Sequence, residues 1–315
     1  MFGALNRRRF VQFGLAAGAA TLVPRWLSAQ AAVPQRIADG RKIAETTPIK
    51  TTRLADNVFL LQGFGGNMVL QTGPEGHLLI DSSFSTSVQK VLAAINAASS
   101  GTPHTLINTH WHYDHTDGNE GMHDAGFKIL AHTKTRERLS TPQVVNFFHM
   151  TVPPDPAGSW PTTTFDDAMH LWHNGDALEL QHFDPAHTDT DIFIHFKDAD
   201  VLHVGDTWFN GMYPFIDEST AGNIGGMIEA NKKALARSGP NTKIIPGHGP
   251  LGNKSQLQQF HDMLSAVRDR VATLKTHGAS EQEVIAKKPT ADFDPIWNKG
   301  SFTPDQFVGI CYRTI

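Results

Sequence analysis

Apolar positions fall into short runs and alternating stretches through the first third of the chain. "NVFLLQG", "NMVLQTG" and "GHLLIDSS" each close on Gly, Asn, Asp or Ser, the pattern of strands joined by hairpins. In "SVQKVLAAINAASSG" the period changes: Val88, Val91, Leu92 and Ile95 share one helical face, and Gly101 lies beyond its end. "TLIN" and "KILAH" are strands again. Residues 133–164 are polar and dotted with proline yet hold Phe147, Phe148 and Trp160, a length that predicts an insertion or lid. Strands resume in "ALELQHF", "DIFIHF" and "ADVLHVGD", and "TKIIPGHG" runs from strand into turn. "GGMIEANKKALARSG" and the long amphipathic "QLQQFHDMLSAVRDRVATLKTHG" are helical. Strands with interspersed helices, in two successive halves, predict a layered α/β body with helices outside.

The ends of the chain set further divisions. Residues 32–51 lack a clear period and are expected to be an irregular lead-in, 52–265 to form the folded body, and 266–315 to be a C-terminal helix and tail packed on it. Residues 1–31 stand apart. Arg7, Arg8 and Arg9 precede a mildly apolar run from Phe10 to Val23, and "SAQA" then supplies small residues. This is the pattern of a cleaved twin-arginine export signal, which predicts the twin-arginine export machinery as a partner and a periplasmic or secreted destination. An apolar run of ~14 residues broken by Gly14 and Gly18 falls short of the roughly 20 that a spanning helix needs, so no stable membrane insertion is expected after cleavage.

Composition narrows the function. The 315 residues are 40% hydrophobic, enough for a full core. The formal charge is −4, and loss of four arginines with the signal makes the chain more acidic, which argues against nucleic acid as a partner. Cys311 is the only cysteine, so no intrachain disulfide forms and any metal chemistry must use nitrogen and oxygen ligands.

The chemistry concentrates in "INTHWHYDHTDGN", Ile107 to Asn119. If the strand "TLIN" continues through Thr109, alternation sends His110 and His112 to one side, Asp114 follows at the same spacing, and His115 needs a turn to join them. Four donors exceed what one tetrahedral zinc takes from a single segment, so the spacing points to two metal ions sharing a loop. Downstream strand ends present one donor each: His187 in "FDPAHTDTD", Asp206 in "LHVGDTW" and His248 in "IIPGHGP". By donor economy His110, His112 and His187 would hold one ion, Asp114, His115 and His248 the other, and Asp206 would bridge. For His77, His104, His123, His132, His149, His170, His173, His182, His195 and His203 the expectation is surface or satisfied core.

In this order the motifs resemble the metallo-β-lactamase superfamily: Asp81 in "LLIDSS", then His-x-His-x-Asp-His, then single His, Asp and His stations, over about residues 52–265. The resemblance implies a four-layer αββα sandwich with metals at one edge, and a supporting rather than ligating role for Asp81. It also implies two Zn2+ per chain, with Fe or Mn as alternatives for such ligands. Two such ions would share an activated water. The expected function is therefore a zinc-dependent hydrolase acting on a small-molecule carbonyl substrate, an ester, lactone, thioester or β-lactam-type amide. Asp114 would also orient the nucleophile, and the Tyr213 hydroxyl is a candidate donor to the developing oxyanion.

Asp206 matches the glyoxalase II, lactonase and arylsulfatase-like members, where β-lactamases of the superfamily usually carry cysteine or serine. The usual Gly-His-Thr-x-Gly is here "AHTDTD", which departs from the glutathione-thioester pattern. A mononuclear iron persulfide dioxygenase and a non-catalytic zinc-binding periplasmic protein stand as alternatives. Phe64 on a glycine-rich loop, and Trp208, Phe209, Tyr213 and Phe215 after Asp206, are candidates to shape the pocket.

Overall fold

The computed structural model describes residues 33–315, so the expected export signal at 1–31 lies outside the described residues. The described chain opens on a helix, α1 (Gln35–Thr46), and an edge strand, β1 (Lys50–Arg53), where an irregular lead-in was expected. The physical reason is a narrow inward face of mostly small residues. Ile37, Gly40 and Ala44 are buried along one side of α1, and Gly40 lets the ring of Phe84 lie against the helix backbone. Polar anchors complete the docking. Arg41 forks onto Asp117, and Lys90 reaches the carbonyls of Ala44, Glu45 and Thr47 at the helix end, where a cation offsets the unpaired acceptors.

The next strands are β2 (Val58–Gln62), β3 (Met68–Gln71) and β4 (His77–Ile80), followed by α2 (Val88–Ala98) and β5 (Pro103–Ile107). A short α3 (Tyr113–Thr116) and α4 (Asn119–Asp124) precede β6 (Lys128–His132) and α5 (Thr133–Ser140). Then come β7 (Gln143–Val145), β8 (Met150–Val152), β9 (Thr163–Phe165), β10 (Ala168–His173), β11 (Asp176–His182), β12 (Ile192–Phe196) and β13 (Val201–His203). The remainder is α6 (Ile224–Arg237), β14 (Lys243–Ile245), α7 (Lys254–Thr276), α8 (Glu281–Ala286), α9 (Asp294–Trp297) and α10 (Pro304–Thr314). No helix among the described residues is long and apolar enough to cross a membrane.

Two sheets carry the body: seven strands in the order β1-β2-β3-β4-β5-β6-β9, and five in the order β10-β11-β12-β13-β14. The polar stretch after β6 contributes β9 to the first sheet and a separate hairpin, β7–β8. Between the sheets lie Leu60, Val69, Ile80 and Ile107 from one side and Leu180, Ile194, Val201 and Ile245 from the other, all buried. Each such side chain contributes roughly 1.5–3 kcal/mol by leaving water. The outer face of the first sheet packs on α2 and α4 through Leu70, Leu79, Val91, Ile95 and Met122. The outer face of the second packs on α6, α7 and α10 through Phe193, Leu202, Met227, Phe260 and Phe307. Helix, sheet, sheet, helix is the four-layer αββα sandwich.

The C-terminal segment is more than one helix and a tail. Helix α7 runs without interruption across residue 265, and α8 and α10 bring Val284, Phe307, Ile310 and Cys311 into the same core as Leu257 and Phe260. Parallel pairing occurs at β4–β5 in the first sheet and β13–β14 in the second. Asp81, the histidine cluster, Asp206 and His248 all follow the carboxyl ends of these four strands, which is where parallel sheets gather ligands.

Candidate metal centre

Strand β5 stops at Ile107, so His110 and His112 sit on a turn and not on a continuing strand. Two anchors hold that turn. Thr109 donates its N–H and its hydroxyl to the Asp81 carboxylate at 2.8 and 2.7 Å, and the Asn108 and Asn119 amides pair with each other at 2.9 and 3.0 Å. His112 then precedes α3, whose single turn carries Asp114 and His115. His187 lies on the β11–β12 loop, where its N–H and that of Thr188 donate to Asp191 at 2.7 and 2.8 Å. Burial pushes the Asp191 carboxyl up to about 7 despite these bonds. Asp206 sits in a tight turn after β13, and His248 follows β14.

All seven sequence-predicted ligands converge, in two groups. Donor atoms of His110, His112, His187 and Asp206 lie within 4.8 Å of one another, as do those of Asp114, His115 and His248. Asp206 faces both groups. Its Oδ2 is 3.5 Å from His187 Nε2 and 3.2 Å from His248 Nε2, and its Oδ1 is 3.1 Å from His115 Nε2. Asp114 Oδ2 is 3.2 Å from His248 Nε2. Two glycines make the crowding possible: a Cβ on Gly66 would run into the His115 ring, and one on Gly247 into the Asp206 carboxylate.

Second partners orient the rings. His115 Nδ1 donates to Asp81 Oδ2 at 2.7 Å, His187 Nδ1 to the Phe215 carbonyl at 2.8 Å, and His112 Nε2 to Asp217 Oδ2 at 3.1 Å. Each ring therefore presents its other nitrogen inward, the arrangement that tunes a metal-ligating imidazole. The consequence is sharpest between His112 Nδ1 and His187 Nε2, 2.8 Å apart. With both outer nitrogens donating, neutral rings would point lone pairs at each other, which calls for a cation between them. His110 Nε2 is fully buried without a hydrogen-bond partner, a loss that a ligated cation removes. The residues present thus fit a metal centre.

Charge follows the same division. Burial holds His110 well below the usual imidazole range, with His115 adding to the effect, and burial takes His187 down to about 4. Burial also opposes charge on His115 and His248, but carboxylates outweigh it: Asp206 and Asp81 raise His115, and Asp206 and Asp114 raise His248 to about 9. Asp114 and Asp206 are in turn held well below the usual carboxylate range by these histidines, against their own burial. Positive charge is thus favoured at the carboxylate-rich group, which protons meet without metal and a metal would meet in their place.

Tyr213 is not in the site. It is fully buried in the helical layer, where its hydroxyl donates to Asp294 Oδ1 at 2.7 Å and its ring stacks on Phe307. Burial, with Asp294 next, raises its phenol further above the ordinary value. Its proton is committed, so the expected role as oxyanion donor is corrected. Trp208 is core as well, whereas Phe64, Phe209 and Phe215 line a cavity of about 740 Å3 above His112, Asp114, Asp206 and His248. Of the other walls, Phe148 comes from the 133–164 stretch expected as an insertion or lid, whereas Arg36 and Gly40 of α1, Tyr113 and Phe302 came from signals that periodicity does not carry. Asp217, the orienting partner of His112, lies 105 residues from it and was likewise missed. Of the histidines expected at the surface or in satisfied core, His203 spans the Asn67 carbonyl and the Gly205 N–H, whereas His77 and His173 are buried with Nε2 unpaired among the described residues.

Comparisons agree with this geometry. The metallo-beta-lactamase superfamily model matches residues 61–248, more than half of the chain and including all seven donors. A hydroxyacylglutathione hydrolase of Polaromonas sp. is 24% identical over 193 residues, 60% of this chain and 65% of that relative. Among solved structures, a metallo-beta-lactamase from Pontibacter korlensis superimposes with a TM-score of 0.56 at 17% identity, covering 69% of this chain and 99% of that one. An inverting sec-alkylsulfatase from Pseudomonas sp. does so with a TM-score of 0.66 at 16% identity, covering 89% of this chain but about half, 52%, of its own. The chain belongs to the metallo-β-lactamase superfamily.

Proposed function

We propose that this protein is a dinuclear zinc hydrolase that adds water across the acyl bond of an ester, lactone, thioester or β-lactam-type amide. The observation that carries this reading is the convergence of seven donors into two groups that share Asp206, on the floor of a cavity large enough for a small organic substrate. When bound, the metal ions supply Lewis acidity and a lowered pKa for water.

The chain's own groups do the rest. His110, His112 and His187 with Asp206 would hold one ion, and Asp114, His115 and His248 with Asp206 the other. Asp114 is half-buried and faces the cavity; its carboxylate is kept ionised by His115 and His248 against burial, so it can accept a hydrogen bond from the attacking water and fix its direction. The oxygen of water joins the acyl carbon, the bond to the departing oxygen, nitrogen or sulfur breaks, and one proton of water ends on that leaving atom. The surrounding phenylalanines exclude bulk water, which strengthens each of these interactions. Export through the twin-arginine machinery to the periplasm or beyond is supported by Arg7 to Arg9 and the apolar run that follows.

The test is turnover by the zinc-loaded full chain on an ester, an acyl lactone, a thioester, a β-lactam and a persulfide, beside His112→Ala. Hydrolysis of at least one acyl substrate, lost in the variant, is expected. Hydrolysis that survives the substitution, or turnover of the persulfide alone, overturns the reading.

A further inference from the structure

Among the described residues the cavity lining holds one arginine and no lysine, and that arginine comes from outside the family-matched residues. Arg36 on α1 faces the same space as Asp114 and His248, whereas the superfamily match begins at residue 61. Its guanidinium is held from two sides. Nε donates to the Tyr113 hydroxyl at 2.9 Å, and the plane lies over the Phe148 ring at 3.9 Å. Tyr113 stands between His112 and Asp114, so this bond ties Arg36 directly to the segment that carries four of the metal donors.

The terminal amines of Arg36 make no hydrogen bond or salt bridge among the described residues. Asp39, one turn along α1, does not claim them, since its carboxylate accepts from Gln35 at 2.8 Å. A guanidinium fixed through Nε and its face, with its outer fork unclaimed, is preorganised for a planar two-oxygen anion. The remaining walls are mostly apolar, Phe64 stacking on Phe84 at 5.6 Å and Phe215 on Phe302 at 5.3 Å beside Ile43, Val145 and Met212, with Asp39 and Ser301 as polar members. Such walls receive an apolar body and offer no second cation.

Resting on the hydrolase reading, we infer that the substrate is an amphipathic monocarboxylate. Its acyl bond sits over the metal donors, its apolar body lies along the phenylalanines, and its carboxylate is gripped by Arg36. Arg36 is thus a specificity-determining residue, and α1 is the substrate-selecting wall.

Two 4-nitrophenyl esters of suberic acid separate the contributions, one with the far carboxylate free and one with it methylated. The zinc-loaded wild type is expected to prefer the free acid by roughly ten- to a hundred-fold in kcat/KM, chiefly through KM, the range for one charge-assisted pair. In Arg36→Gln this ratio should collapse toward one, and Arg36→Lys should restore part of it. A wild type without preference overturns the inference, and so does a preference that survives Arg36→Gln, because the carboxylate is then recognised elsewhere than at Arg36. Arg36 is exposed, so the variants are expected to fold.

A second measurement does not depend on turnover. Calorimetric binding of phenylbutyrate and of its neutral amide to the same proteins should show the same loss of discrimination in Arg36→Gln. Retained discrimination there refutes the anion grip. If neither these esters nor any acyl substrate of the panel above is hydrolysed while the discrimination does depend on Arg36, it is the hydrolase reading that fails and the grip that stands.

Discussion

The carboxylate of Asp81 accepts from His115 Nδ1 at 2.7 Å while also taking the N–H and hydroxyl of Thr109. One buried side chain in a left-handed backbone conformation (φ 59°) thereby fixes both the His115 ring and the turn that presents His110. Asp81→Asn preserves the shape but removes the charge that favours a donating Nδ1. Orienting partners of this kind are worth roughly 10- to 100-fold in metal affinity, and a loss of that size is expected in a competition titration with a chromophoric chelator. Unchanged affinity would show that the turn holds itself.

The two-group arrangement predicts stoichiometry. After dialysis, elemental analysis should find two zinc ions per wild-type chain, and about one in both His187→Ala and His248→Ala. A single ion in the wild type would rule out the dinuclear site.

Metal should also stabilise the fold, because a ligand bound only by the native state adds free energy in proportion to ln(1 + [L]/Kd). Chelation is expected to lower Tm by several degrees, with recovery on adding zinc. Identical melting curves would mean that the buried donors satisfy one another without a cation.

Tyr213→Phe should leave kcat on any substrate within about two-fold, since the hydroxyl is spent on Asp294 and neither residue lines the cavity. The cost should appear as stability, about 1 kcal/mol for one lost hydrogen bond, read by urea denaturation. A large fall in kcat with intact stability would return Tyr213 to the mechanism.

Asp155 offers a pH signature away from the metal donors. Burial pushes its carboxyl up from 3.8 to about 7, Asp117 adds to this, and Arg41 pulls against it. The folded chain therefore holds a proton there that the unfolded chain has released. Its contribution to stability is full below about pH 4 and is lost as pH rises toward 7. Thermal melts between pH 4 and 8 should fall more steeply for the wild type than for Asp155→Asn; parallel curves would refute the assignment.

What could be read before the structure follows a physical divide. The seven donors were legible because each is a strong ligand type at the end of an apolar run, and strand ends are where a layered sheet exposes side chains. The four-layer body was legible because its strands bury one or both faces and so carry runs of Val, Ile and Leu. Helix α1 was not, because its inward face is built from Gly40 and Ala44, which bury little apolar area and leave no amphipathic signature. The alternation argument for His110 and His112 failed because hydrogen bonding to Asp81 ends the strand two residues early. Tyr213 was misplaced because an aromatic residue in a loop after a ligand reads the same whether it turns toward the cavity or into the helical layer. Asp217 and Arg36 act through partners 105 and 77 residues away, distances over which local periodicity is silent.

Asp206 and His248 follow paired strands of the second sheet, and the cluster follows the first. Neither half of the chain holds a complete shell for either ion. A bound metal would therefore act as a clasp across the two sheets, engaged only when both have formed and docked in register. Tight metal retention would then serve as a certificate of correct assembly, and a misfolded chain would be marked by the ease with which it gives its zinc away.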